Sequence, residues 1–240
     1  VALSKNTVSE FMEKLGKNIS RIVAFMKERT DRVSMDHHLL VDGTLKSDES
    51  SVNSLSDFSR KAKKKGSKDI SVIYAFDLEK REPVCSMCYP GNMLDVTAYS
   101  DFVGKCGIKR GIIVADKGFP SSSASEHFDA NPDLHYLNPV KRNSKLAERH
   151  SMYEYTGVLK GHEGILYRKD SVEGKRKFLY SFRDQRRAAK EEADFIRRNA
   201  EEYDDSKFRE KQRKFGTVVL ECDLDMEPEE IYDAYSRRWE

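Results

Sequence analysis

A chain of 240 residues with 38% hydrophobic and 10% aromatic side chains can bury a sizeable core, as one elaborated domain or as two. Lys and Arg together number 43 against 41 for Asp and Glu, so the net charge of +2 excludes a bulk polycation and leaves any nucleic-acid contact to local patches. No apolar run approaches the roughly 18 to 20 residues of a spanning helix, which argues against a membrane protein. The four cysteines, at 85, 88, 106 and 222, are too scattered for a disulfide framework and point to a reducing cytoplasm.

From Thr7 to about Thr30, Val8, Phe11, Met12, Leu15, Ile19, Ile22, Val23, Phe25 and Met26 recur at three- and four-residue intervals. That period predicts one or two amphipathic helices whose apolar side packs on the body. His38-Leu39-Leu40-Val41-Asp42-Gly43-Thr44 is a short apolar run closed by an acid and a glycine, as in a buried strand running out to an exposed edge. Residues 46–69 are rich in Ser and Lys and read as a loop. Within it, Arg60-Lys61-Ala62-Lys63-Lys64-Lys65 is a possible phosphate contact or simply a solvated run.

Ile70 to Phe76 and Glu82 to Tyr89 are β-rich runs joined by a polar turn, which predicts an antiparallel hairpin. The second run contains Cys85-Ser86-Met87-Cys88, spaced like half of a zinc or redox site but lacking a second pair, so half-buried strand cysteines are the expectation. Asp95 to Cys106 suits a short helix. Gly111-Ile112-Ile113-Val114-Ala115-Asp116-Lys117-Gly118-Phe119 repeats the earlier pattern of aliphatics broken by Asp and then Gly.

Beyond Pro120 the character changes. Tyr136 to Val140 reads as a strand leading into the basic patch Lys141-Arg142-Asn143, and Gly157 to Arg168 and Lys177 to Phe182 as further strands. Residues 183–214 are charge-dense and helical, with Phe195-Ile196 and little else apolar, so a solvent-facing or bridging helix is expected. Thr217 to Cys222 returns to core character. Glu227-Pro228-Glu229-Glu230 then opens a final helix, with acids where its dipole favours them, that continues to the end of the chain.

Two acids closing two similar apolar runs suggest a metal site. Hard divalent ions take oxygen ligands, and two ions about 4 Å apart can stabilise both the attacking and the leaving oxygen of an in-line phosphoryl displacement. Asp42 and Asp116 are the candidates. On the final helix Tyr235 and Arg238 are three residues apart, share a face, and can aim a neutral and a charged donor at one phosphate. His37-His38 reads as a surface pair rather than as ligands, and Trp239 as core packing in preference to base stacking.

The blocks Val41-Asp42-Gly43-Thr44, Ala115-Asp116-Lys117-Gly118-Phe119 and Tyr235-Ser236-Arg237-Arg238-Trp239 resemble those of bacterial insertion-sequence transposases of the DDE class, in the group marked by a Tyr-x-x-Arg-x-x-x-Glu signature. Pro90-Gly91-Asn92-Met93-Leu94-Asp95 and Leu137-Asn138-Pro139-Val140-Lys141-Arg142-Asn143 are also similar, so the likeness spans about residues 36 to 240. It implies an α/β fold, an RNase H-like mixed sheet flanked by helices, with a largely β insertion between the second Asp and the C-terminal helix. The corresponding division is 1–119 (N-terminal helix and first part of the core), 120–216 (insertion) and 217–240 (last core strand and start of the catalytic helix).

By the same resemblance Asp42 and Asp116 bind two Mg²⁺ or Mn²⁺ ions, while Tyr235 and Arg238, with Lys141 and Arg142, hold DNA. Water would cut the transposon end, and the freed 3′-hydroxyl would attack target DNA without a covalent enzyme intermediate. The partners are transposon ends and target DNA, the assembly a homodimer on DNA, and the place the bacterial or archaeal cytoplasm at the nucleoid. The alternative is a catalytically inactive, transposase-derived DNA-binding protein. The signature puts its Glu seven residues after Tyr235, at position 242. At about 100° per residue that position returns to within roughly 20° of Tyr235, whereas Glu240 points about 140° away, so the third carboxylate is expected just beyond residue 240. The start at Val1, without an initiator Met, is likewise read as a point within a longer protein, with a DNA-end-binding region before it.

Overall fold

The computed structural model describes residues 4–59, 66–116 and 118–239, the Trp239 side chain excepted. The basic run 60–65, Lys117, the Trp239 side chain and Glu240 therefore lie outside the described residues.

Helices α1 (Lys5–Lys17) and α2 (Ile19–Thr30) precede strand β1 (His38–Ser47), the short β2 (Asp57–Phe58), β3 (Lys68–Asp77) and β4 (Glu82–Pro90). Helix α3 (Asp95–Cys106) and β5 (Gly111–Ala115) follow, then a 3₁₀ turn (Ser121–Ala124), α4 (Ser125–Ala130), β6 (Leu134–Val140) and α5 (Lys145–Arg149). Next come β7 (Gly157–Val158), β8 (Ile165–Ser171), β9 (Phe178–Asp184), α6 (Gln185–Arg198), α7 (Asp205–Gln212), β10 (Thr217–Cys222) and α8 (Pro228–Ser236), which tightens into a 3₁₀ turn at Arg237–Trp239.

The strands form one mixed sheet in the order β2-β3-β1-β5-β6-β10-β9-β8-β7, with β4 also paired to β3. Its centre is parallel, β1 to β5 and β5 to β6, and the other pairs are antiparallel. This is an RNase H-like mixed sheet flanked by helices. Strand alternation divides the core. Leu39, Val41, Ile113 and Ala115 face Tyr99 and Phe102 of α3, while Ile112 and Val114 face the other side with Ile231 and Ala234 of α8. The segment 120–216 contributes β6, β7, β8 and β9 to this same sheet, and β6 lies directly between β5 and β10.

Four expectations change. The N-terminal helices do not pack as expected: α1 buries no residue and α2 only Thr30, because α2 reaches the body through its last turns, where Arg29 pairs with Glu82 at 2.8 Å and Met26 lies against the core. The 46–69 loop is shorter, since β1 runs to Ser47 and β2 pairs with the first residues of β3. The charge-dense segment is two helices rather than one, folded back so that Phe195, Phe208 and Phe215 close a small cluster of their own around Ala188. The final helix ends as an α-helix at Ser236, before the end of the chain.

Candidate active site at the ends of the parallel strands

The register of the two central strands decides the geometry. Leu40 pairs with Val114 and Val41 with Ala115 in the parallel β1–β5 ladder, so the next step of that register sets Asp42 beside Asp116. Val41 and Ala115 both turn to the α3 side, and alternation therefore turns both acids to the α8 side. Contrary to expectation Asp42 does not end its strand, because β1 continues to Ser47 against β3; it stands where the parallel neighbour stops.

A cleft of about 1380 Å³ opens at this end of the sheet, lined by Asp42, Asp116, Asp95, Lys141, Arg142 and Tyr235 among others. It lies at the carboxyl ends of the parallel strands, where open α/β sheets hold their ligands. The Asp42 carboxylate accepts the Gly43 amide at 2.9 Å and the Tyr74 hydroxyl at 3.4 Å, and Tyr74 is its cross-strand neighbour on β3. Burial, reinforced by the Asp42 charge, raises the Tyr74 pKa above the ordinary tyrosine value and keeps the hydroxyl a donor. From the other wall Arg238 Nη1 reaches within 3.8 Å of Asp116 Oδ1, 3.3 Å of the Ala115 carbonyl and 3.4 Å of the Tyr235 hydroxyl. Tyr235 and Arg238 thus share a face, and the guanidinium lies 5.3 Å from the ring centroid. Burial and, secondarily, the Asp116 charge raise the Tyr235 pKa, against the pull of Arg238.

A family model described as a transposase DDE domain matches residues 34–240. The chain belongs to that family. No curated protein matches it. The match takes in the whole sheet, so the cleft belongs to the transposase domain, while α1 and α2 precede it. Transposases of this class use divalent metal ions. The donor set fits them: two carboxylates of hard oxygen atoms on one cleft, with Asp42 oxygens that, among the described residues, accept one amide and one distant hydroxyl.

The predicted basic patch divides. Lys141 is exposed on the cleft and forms no ion pair among the described residues. Arg142 also lines the cleft but is tied down: its two terminal nitrogens grip Glu191 of α6 at 2.7 and 2.8 Å, and its Nε donates to the Thr217 carbonyl at 3.0 Å. Burial raises the Glu191 pKa, but hydrogen bonds from Arg142, the Gly216 amide and Arg187 outweigh it and hold the carboxyl down to about 2. Sequence reasoning missed Tyr74, Asp95, Glu191, and the partly buried Glu221, which accepts from Ser121 and from Lys177 at 2.9 Å. Of these only Arg187–Glu191 had a local signal, its i,i+4 spacing.

A second carboxylate group, His37, Asp77 and Glu79, lies at the opposite end of β1. Its oxygens are already engaged. His37 pairs with Asp77 at 2.7 Å, Asp77 accepts the Glu79 and Lys80 amides, and Glu79 takes His38 and the Arg237 guanidinium. It fastens the β3–β4 turn to β1 and to the end of α8. Cys85 is buried and Cys88 exposed, since residues three apart on β4 point to opposite faces, so their sulfurs cannot share an ion. No helix among the described residues is long and apolar enough to cross a membrane.

Proposed function

We propose that this transposase domain cuts transposon ends and joins them to target DNA with divalent metal ions, two Mg²⁺ or Mn²⁺, held by Asp42 and Asp116, and that it belongs to the group with the Tyr-x-x-Arg-x-x-x-Glu signature. The observation that carries the reading is the parallel register that ends at Val41 and Ala115, one residue before each acid, together with the one cleft that both acids line. When bound, such ions lower the pKa of water and neutralise charge on the phosphoryl group.

The residues of the chain supply the rest. The two carboxylates hold the cation positions at the cleft floor. Arg238 brings a charged donor and Tyr235 a neutral one to a phosphate beside them, and Lys141 meets the DNA backbone at the rim. Arg142 acts through Glu191, fixing the turn after β6 that carries Lys141. The working assembly is a homodimer on DNA, in the cytoplasm at the nucleoid, with 120–216 elaborating the core.

The test is strand cleavage and joining of DNA carrying the element's own ends, with Mg²⁺ or Mn²⁺, by the wild-type protein and by Asp42→Ala and Asp116→Ala. Cleavage lost in both variants supports the reading, and cleavage unchanged in both overturns it. DNA binding without metal-dependent cleavage by the wild-type protein would favour a binding protein that has lost its chemistry.

A further inference from the structure

Two consecutive arginines leave the end of α8 in different directions. The α-helix stops at Ser236 and the chain tightens into a 3₁₀ turn over Arg237–Trp239, whose steeper winding swings neighbouring side chains apart. Arg238 reaches the carboxyl end of β5, with Nη1 3.3 Å from the Ala115 carbonyl and 3.8 Å from Asp116 Oδ1. Arg237 reaches the other end of the β1–β5 pair. Its Nη1 donates to Glu79 Oε1 at 2.7 Å and its Nη2 to the Leu78 carbonyl at 3.1 Å. Glu79 is itself fixed, because its carboxylate accepts the His38 amide at 2.7 Å and pairs with His38 Nδ1 at 3.0 Å. His38 pairs with Ile112 in the parallel ladder and Val41 with Ala115, three residues further on. The two anchors therefore lie about 10 Å apart along the strands.

We infer that Glu79 is a positioning residue for Arg238: through Arg237 it fixes the last turn of α8 in the setting from which Arg238 reaches Asp116 and the cleft. The inference rests on the reading that Arg238 meets a DNA phosphate. An ordinary surface ion pair would contribute little. This one is half-buried, its guanidinium spans a carboxylate and a carbonyl, and its carboxylate is gripped by His38 as well as by Arg237. Burial alone would raise the Glu79 pKa, but the His38 amide and ring and Arg237 outweigh it and hold the carboxyl below its ordinary value, so the charged partner of Arg237 is kept. The β3–β4 turn that bears Glu79 is also tied to the N-terminal side of the body. Lys80 Nζ donates to the Arg32 carbonyl at 2.6 Å, and Glu82 pairs with Arg29 of α2 at 2.8 Å. The end of α8 is thus fastened to a fixed point. A donor displaced by about 1 Å falls outside good hydrogen-bond distance of a phosphate, so this fastening bears directly on what Arg238 can do.

The test is binding of a duplex carrying the element's own ends, without metal, over a salt series. The wild type is compared with Arg238→Gln, Glu79→Gln and Arg237→Gln, and with the two double variants that add Arg238→Gln to each of the others. Glu79→Gln makes the chain more basic by one charge, so a merely electrostatic or structural role gives equal or tighter binding. Positioning gives the reverse. Glu79→Gln and Arg237→Gln should each bind about three- to tenfold more weakly, with a lower salt slope, and neither should weaken binding further once Arg238 is replaced. Equal or tighter binding by folded Glu79→Gln overturns the inference. A loss in Arg237→Gln that persists in full beside Arg238→Gln overturns it too, since Arg237 would then be a DNA contact in its own right. Thermal melts check folding, and should Glu79→Gln unfold, Arg237→Gln carries the same comparison from the more exposed side of the pair. If Arg238→Gln alone leaves binding unchanged, the phosphate role of Arg238 fails separately. Amide exchange over residues 228–239 then decides the positioning: faster exchange in Glu79→Gln supports it, and unchanged exchange overturns it.

Discussion

Arg238 Nη1 stands 3.8 Å from Asp116 Oδ1, with the side chain only 9% exposed. A guanidinium held against one of two adjacent carboxylates occupies the position of a counter-charge. Replacing it by Gln should therefore have opposite effects on two ligands. Metal binding, followed by Mn²⁺ titration, should tighten several-fold, because a nearby cation no longer competes. DNA binding should weaken, and its dependence on salt should fall by about one unit of log-log slope, because one phosphate contact is gone. If both affinities fell together, Arg238 would be a support of the fold instead.

Asp42→Asn and Asp116→Asn keep the shape of each side chain and remove its charge. Both acids are only partly buried at the cleft, so folding stability should change by under about 1 kcal/mol in thermal melts. Metal-dependent cleavage should drop by at least a hundredfold, since metal catalysis supplies several kcal/mol and each 1.36 kcal/mol is tenfold. A melt shifted by many degrees, with cleavage retained per folded molecule, would assign the acids to structure.

Much of this was legible because it is written locally. The helix over Asp95–Cys106, the hairpin of β3 and β4 and the strand β10 follow from hydrophobic period and turn residues alone. Asp42 and Asp116 could be singled out as candidates because both close the same kind of apolar run. What was not legible depends on pairings distant in sequence. That Tyr74 lies across from Asp42 requires the hairpin to dock on β1 in one register, and that Arg142 is held by an ion pair requires α6 to bring Glu191 against it, 49 positions away. The N-terminal helices show the opposite failure: their period is correct, but a period says that a face wants cover and not that the same chain supplies it.

Gly43 follows Asp42, and a Cβ there would lie 2.9 Å from Phe119 Cζ. Phe119 is buried against Tyr99, with ring centroids 5.2 Å apart, so it has little room to yield. Overpacking of this kind costs about 1–3 kcal/mol, and Ala in place of Gly in a strand returns about 0.5–1. Gly43→Ala should lose about 1 kcal/mol by chemical denaturation. It should also weaken Mn²⁺ binding, since Phe119 follows shortly after Asp116. Unchanged stability and affinity would show that Phe119 moves aside freely.

Glu191 links folding to pH. Its carboxyl is held at about 2, below the ordinary 4.5, by Arg142, the Gly216 amide and Arg187, so the folded state favours the charged form. A depressed carboxylate contributes stability that is present in full above the unfolded value and is lost as pH falls through the folded one. The window is thus from about pH 4.5 down to about 2, and with solvent screening of this partly exposed pair the linked stability is on the order of 1–2 kcal/mol. Glu191→Gln should lower stability at pH 7 by up to that amount, because Arg142 loses its bidentate partner, and should flatten the acid limb of a stability–pH curve. DNA binding should weaken as well, through the turn that carries Lys141. If the acid limb of the variant kept the wild-type slope between pH 4.5 and 2, another carboxylate would account for the acid sensitivity.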